Sequence, residues 1–295
     1  MRKYLWYKNW TEKYIEGLPV GNGRLAAMML GRPEKLRVAL NHEWLWRGEN
    51  RYRECQNVHE YLPEIRKALL DEDFLKATVL CAEHLASPGG DNTAANRVAP
   101  YQPVGDIWVS VDYDGIENYK RSLDLETGLA QTQFSTSQGE ICQKLFVSCS
   151  DDCVVLDINA DFNANINICL SRIVDPVCTV HYKQKNDGIM LKGTFDDGVS
   201  FEASSKIITD GTWSSEENTI CVKNAKHVLL LTQIGTNVKG NNPEAEMSFP
   251  EEQCFDTLFE RHAKHFAELK GDSVVDIEVE ECYLPTDQRI ALFRE

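Results

Sequence analysis

Apolar and polar residues alternate with a period of two along most of this chain. The strictest instance is Ile107, Val109, Val111 and Tyr113, the pattern of a strand with one buried face. The same pattern runs through residues 119–125, 129–134 and 141–147, with Ser137-Gln138-Gly139 as a hairpin turn. It continues at 154–158, 166–173, 189–191, 199–208, 219–222 and 228–234. Nearer the start, apolar runs at 25–30 and 35–40 flank Gly31-Arg32-Pro33-Glu34 and read as another hairpin. Short strands at such close, turn-punctuated spacing predict a mainly β chain, a large antiparallel β-sandwich.

The period changes in three places. Between residues 58 and 86, Leu62, Ile65 and Leu69 repeat at three and four, Pro63 suits a first helical turn, and Asp71 is placed to cap a second helix through Phe74, Ala77 and Leu80. Residues 87–100, small and polar around Gly89-Gly90, read as a loop. Residues 253–270 are helical again, and 288–295 begin a helix at which the sequence stops. The expected organisation is a sandwich domain over 1–250 with a helical insertion at about 58–86, then the start of a helical linker over 251–295.

Composition narrows the class more than it selects a function. Hydrophobic residues make up 42% and charged residues 26%, which suits a globular domain with a core. The net charge of -15 argues against nucleic acid, which needs a basic stripe. No apolar run reaches the length of a membrane span, and the opening Met1-Arg2-Lys3-Tyr4-Leu5-Trp6 has no secretory pattern. The ten cysteines are scattered without a Cys-x-x-Cys. That predicts reduced thiols in a cytoplasmic protein, with no metal site. His262 and His265 share a helix face, and packing is the expected role for them.

Seven ordered blocks carry a resemblance. Gly17-Leu18-Pro19-Val20-Gly21-Asn22-Gly23-Arg24-Leu25-Ala26-Ala27-Met28 is followed by Leu40-Asn41-His42-Glu43-Trp44-Leu45-Trp46-Arg47-Gly48 and by Leu62-Pro63-Glu64-Ile65-Arg66-Lys67. Then come Tyr101-Gln102-Pro103-Val104-Gly105-Asp106-Ile107, Tyr119 to Gly128, Lys144 to Ser148, and Leu284-Pro285-Thr286-Asp287-Gln288-Arg289. Together they resemble the N-terminal part of the family 95 glycoside hydrolases, the α-L-fucosidases. The resemblance implies a parent that hydrolyses fucosides with inversion and without metal or cofactor. It also implies a partner for this sandwich, a catalytic (α/α)6 barrel of the same parent. The family's catalytic acids lie in that barrel and match no position here, so the chain alone is expected to be inactive.

Within the blocks, Asn22 reads as a turn residue or a sugar contact. Asn41, Glu43, Trp46 and Arg47 read as a structural corner or as a rim to a sugar pocket, since aromatic faces stack on sugar C–H surfaces and amides meet hydroxyls. His42, Trp44 and Arg47 depart from the family's glutamate, threonine and serine, and Ala26 from its glycine. The competing function is a carbohydrate-binding module acting on its own through Trp44, Trp46 or Trp108, with fucosylated or related glycans as ligands.

Overall fold

In a computed structural model, residues 4–47, 58–85, 100–240, 242–270 and 283–294 are described. They are mainly β: fourteen antiparallel strands form one curled sheet, accompanied by four α-helices among the described residues. One run of the sheet has the order β1 (Tyr4–Tyr7), β6 (Glu117–Asp124), β7 (Leu129–Ser135), β8 (Glu140–Ser148), β9 (Cys153–Ser171), β14 (Thr219–Thr236), β12 (Ser200–Thr209), β11 (Gly188–Phe195) and β10 (Cys178–Lys185). The other runs β2 (Leu18–Gly21), β3 (Leu25–Arg32), β4 (Lys35–His42), β5 (Gly105–Val111) into the second half of β9, and β13 (Thr212–Glu216) pairs with the start of β14.

Two long strands close this sheet into a sandwich. Residues 153–160 of β9 pair with β8, whereas residues 166–171 pair with β5. β14 shows the same division, with register shifts between Val222, Ala225 and His227 where it changes layers. The alternation predicted each of these as two short strands, because Asp161-Phe162-Asn163 and Lys223-Asn224 interrupt the apolar pattern like turns. They are corners inside continuous strands instead. β2 and β3 then lie across β6, β7 and β8, so that Val38, Leu40 and Ile107 share one core with Ile141, Leu145 and Leu156. Each such side chain contributes roughly 1.5–3 kcal/mol on burial.

Contacts divide the chain into two units, Met1–Leu45 with Gln102–Glu295, and Trp46–Tyr101. The second holds α1 (Leu62–Leu70) and α2 (Phe74–His84), with Tyr61 stacked on His84 at 3.7 Å between ring centroids. Asp73, not Asp71, caps α2, accepting the Lys76 N–H at 3.1 Å; Asp71 instead ends α1. The loop expected at 87–100 lies, apart from Pro100, outside the described residues, as do Gly48, Cys55 and Cys282.

In the first unit, α3 (Phe255–Lys270) packs on the outer face of β8. Phe146 is fully buried there among Phe255, Phe259 and the His262 ring, the last at 4.6 Å. α4 (Thr286–Arg294) sits against β1, where Thr286 Oγ1 accepts the Trp6 N–H at 3.0 Å. No helix among the described residues is long and apolar enough to cross a membrane.

Candidate functional site

The first block is a polar knot. The Asn22 side chain accepts the N–H groups of Arg24 and Leu25 at 2.9 and 2.7 Å and donates to Ser148 O and Asp152 Oδ1, both at 3.0 Å. All four hydrogen-bonding sites of the amide are thereby used inside the protein. Arg24 pairs with Asp152, Ser148 Oγ donates to Asp151, and Arg261 of α3 reaches Asp151 Oδ1 at 2.7 Å. Gln233 of β14 donates to Ser248 O at 2.8 Å beside the same turn. The Gly-Asn-Gly turn therefore ties β2 and β3 to the β8–β9 turn and, through it, to α3.

Two further candidates adjoin this knot. The Glu43 N–H donates to Arg24 O at 2.8 Å, leaving an exposed side chain. Asn41 pairs with Ala26 across β4 and β3, and its Nδ2 donates to the Tyr14 hydroxyl at 3.3 Å. His42, one of the departures from the family pattern, is buried and holds the corner: its Nδ1 accepts the Trp44 N–H at 3.1 Å. Trp44 projects into solvent with Lys239 over its ring at 4.7 Å. Trp46 and Arg47 begin the other unit. Trp46 meets Tyr101 edge-on at 5.0 Å, and the Arg47 N–H donates to Pro100 O at 3.1 Å.

The blocks at 101–107 and 119–128 also resolve into braces. Arg121 is buried, donates from Nε to Asn9 O at 2.8 Å, and lies 4.1 Å over the Tyr7 ring, which anchors the segment before β2. The turn at 125–128 receives α3. There the His262 Nε2–H donates to Thr127 O at 2.8 Å, Lys270 pairs with Glu126, and the Phe266 ring lies where a Cβ on Gly128 (φ +64°) would come within 2.9 Å. Burial, first of all, holds the His262 pKa down. Arg37 forks onto Asp106 at 2.8 and 3.1 Å beneath Trp108.

Two groups stand out that the sequence reading did not single out. Arg172, its side chain 1% exposed, donates to Pro103 O and Gln102 Oε1, reaches Asp175 at 3.5 Å, and lies 5.3 Å from both the Phe195 and Phe201 rings. Asp157, buried on the outer face, is held by Asn159 Nδ2 and bonded to His227 Nε2 at 2.7 Å. In each case the signal was a charge inside an apolar strand run.

His227 gives a pH prediction. The hydrogen bond to Asp157 raises its pKa above the ordinary 6.5, with Asp210 and Asp256 adding to the field and burial opposing it. A raised folded-state pKa gives stability that is complete below the unfolded value and lost as pH climbs through the folded one. Wild type is therefore expected to exceed His227→Gln in Tm at pH 5.5 and to lose that margin by pH 8.5. A margin growing with pH would refute the pairing.

Comparison with known proteins adds the family. Residues 5–241 match the model for the glycosyl hydrolase family 65, N-terminal domain. "Probable alpha-fucosidase A" of Aspergillus oryzae is 22% identical over 249 residues, covering 79% of this chain and 33% of its own length. "Alpha-L-fucosidase 2" of Arabidopsis thaliana is 27% identical over 157 residues, 52% of this chain and 17% of its own length. The Aspergillus niger "Probable alpha-fucosidase A" is 23% identical over 291 residues, covering 91% and 35%. The chain thus spans about a third or less of these relatives. A solved structure titled "Putative kojibiose phosphorylase from human microbiome" matches 89% of the chain and 37% of its own at TM-score 0.50 and 11% identity, a likeness of fold.

Proposed function

Since this chain belongs to the glycosyl hydrolase family 65 N-terminal domain family, we propose that it is the non-catalytic β-sandwich of a glycosidase resembling the family 95 α-L-fucosidases. In this reading it buttresses a catalytic (α/α)6 barrel of the same parent and shapes the mouth of the substrate site. The observation that carries it is the alignment with three proteins named fucosidases over up to 91% of the chain. The side-chain chemistry agrees. An inverting glycosidase needs an acid and a base roughly 6.5–9.5 Å apart with water between them. Here Asp157, Glu202, Asp106 and Asp151 are each held in an ion pair with His227, Lys185, Arg37 and Arg261.

The purified chain is expected to release no fucose from an aryl α-L-fucoside or from a 2'-fucosyl oligosaccharide. Turnover above the uncatalysed rate would end this reading. The exposed Trp44 and Trp46 rings favour one alternative, a sandwich that binds glycans by itself. Titration with fucosylated oligosaccharides, followed by tryptophan fluorescence, separates the two: the proposed role predicts no saturable change.

A further inference from the structure

Acidic residues outnumber basic ones in this chain by 46 to 31, so a surface cation readily finds a carboxylate. Lys13, Lys76, Lys185, Lys206 and Lys270 each do, in ion pairs. Lys8, Lys120 and Lys144 make no ion pair among the described residues. All three gather at one surface, the outer face of β1, β6, β7 and β8. Leu5, Leu123, Ala130 and Leu145 of these strands pack into the core, so alternation turns Trp6, Ser122, Gln131 and Lys144 outward. α3 covers part of β8 and the 125–128 turn, and α4 sits at β1, which leaves the outer face of β6 and β7 between the two helices.

Strand pairing joins these groups into one patch. Trp6 stands opposite Ser122, Ser122 opposite Gln131, and Gln131 opposite Lys144. In the next row Lys120 faces Gln133, and Gln133 faces Cys142. Lys120 Nζ lies 5.2 Å from the Trp6 ring centroid and 5.8 Å from that of Tyr4, with Lys8 Nζ 6.0 Å from Trp6. Gln131 Nε2 donates to Gln133 Oε1 at 3.3 Å. The bordering carboxylates are engaged elsewhere: Asp124 Oδ1 accepts the Glu126 N–H at 2.8 Å, and the buried Asp157 is held by His227 and Asn159. Lysine is disfavoured within strands, and a solvated face that merely followed the composition would be acidic. These two rows instead combine an aromatic ring, two amides, a hydroxyl and unpaired cations, with no carboxylate among them.

We propose that this face binds an acidic oligosaccharide, one in which a uronic acid adjoins further sugar rings. The occupant follows from the chemistry of the patch. The uronate carboxylate meets Lys120, a charge-assisted contact that no carboxylate of the chain supplies. A ring C–H face lies on Trp6 and Tyr4, of which Tyr4 is 43% exposed, and the Ser122 hydroxyl with the Gln131 and Gln133 amides serves sugar hydroxyls as donor and acceptor. Two strand spacings of about 4.8 Å and two residues at about 3.4 Å set the Lys120 and Lys144 Cα atoms about 12 Å apart, so a short chain of rings spans both cations. Nucleic acid fits less well, because the net charge of -15 opposes a dense row of phosphates. Neutral fucosylated oligosaccharides offer the lysines no charge and are not ligands of this face.

The test titrates the purified chain with tetragalacturonate by calorimetry and by tryptophan fluorescence, with maltotetraose, citrate and a single-stranded oligodeoxythymidylate in parallel. Tetragalacturonate is expected to bind saturably, and more weakly as salt is raised. K120Q/K144Q, whose side chains make no ion pair, should keep its Tm and lose at least about tenfold in affinity. Lys183→Gln, on β10, should stay within about twofold of wild type. Trp6→Phe should remove the fluorescence response, whereas Trp108→Phe, in the other layer, should keep it. No binding of tetragalacturonate by wild type, or unchanged affinity in K120Q/K144Q, overturns the site. Equal affinity for maltotetraose, citrate or the oligonucleotide overturns the assignment of its ligand. None of these outcomes bears on the fucosidase-like reading.

Discussion

Phe146→Ala is expected to lower stability by about 3–5 kcal/mol, the cost of deleting a large aromatic from a filled core. Phe146 lies between sheet and helix. Its ring contacts those of Phe255 and Phe259 at 5.7 and 5.6 Å and stacks on His262 at 4.6 Å, with Val155, Leu229 and Leu231 in the same cluster. The cavity left by alanine would be lined by α3, and the core between the layers, a separate cluster, would not feel it. The loss should therefore show first as release of α3. Amide exchange in 255–270 should accelerate before exchange in β9 or β14, with Tm falling on the order of 10 °C. Phe146→Leu, which keeps most of the volume, should lose about a third as much. Equal exchange in α3 and β14 would show that the helix is not a separate layer.

The same interface shows what the sequence could and could not tell. The helix at 253–270 was legible because Phe255, Leu258, Phe259, His262 and Phe266 recur at three and four on one face. Its docking site was not, because contact between Gly128 and Phe266 is a matter of tertiary approach that no local pattern encodes. The sandwich itself was legible from alternation. The two corner strands were not: Asp161 to Asn163 breaks the alternation as a turn would, and only the pairing of β9 with both β8 and β5 distinguishes a corner from a turn. β10 was missed for a related reason. It is an edge strand whose residues are largely exposed, so it has no buried face to alternate against.

The candidate site was legible in outline, but its bonding was not. Asn22 between two glycines signals a turn, and the structure shows that turn with every amide site of Asn22 used internally. The blocks that carry the resemblance turn out to be places where distant segments are tied together. A motif identifies a position under constraint, and the constraint at Asn22, Arg121 and Thr127 is a hydrogen bond across the fold, whereas at His42 it is a local bond to the Trp44 N–H. Arg172 lay outside every block. Its signal was an arginine in the apolar run 166–173, where the expected reading of a strand offers no place for a charge.

Arg172 carries the other large prediction. Its guanidinium replaces water for Pro103 O and Gln102 Oε1, faces Asp175 at 3.5 Å, and packs against the Phe195 and Phe201 rings. Arg172→Ala removes that packing, leaves Pro103 O and Gln102 Oε1 without the guanidinium and takes the partner from Asp175, together worth about 3–5 kcal/mol. Arg172→Lys should recover little, because a single ammonium cannot serve a carbonyl, an amide and a carboxylate set out around a planar fork. Arg172→Met keeps the aliphatic contact with the two rings while leaving the carbonyl unpaired, so it should fall between wild type and alanine. Urea unfolding checks the order through midpoints at constant m. A lysine variant as stable as wild type would mean that charge alone, without the fork, holds this segment. If the fork is what matters, Arg172→Ala should also free the Ile173–Val174 tip, and chymotryptic cleavage near that tip should rise well before the rest of the sandwich becomes susceptible.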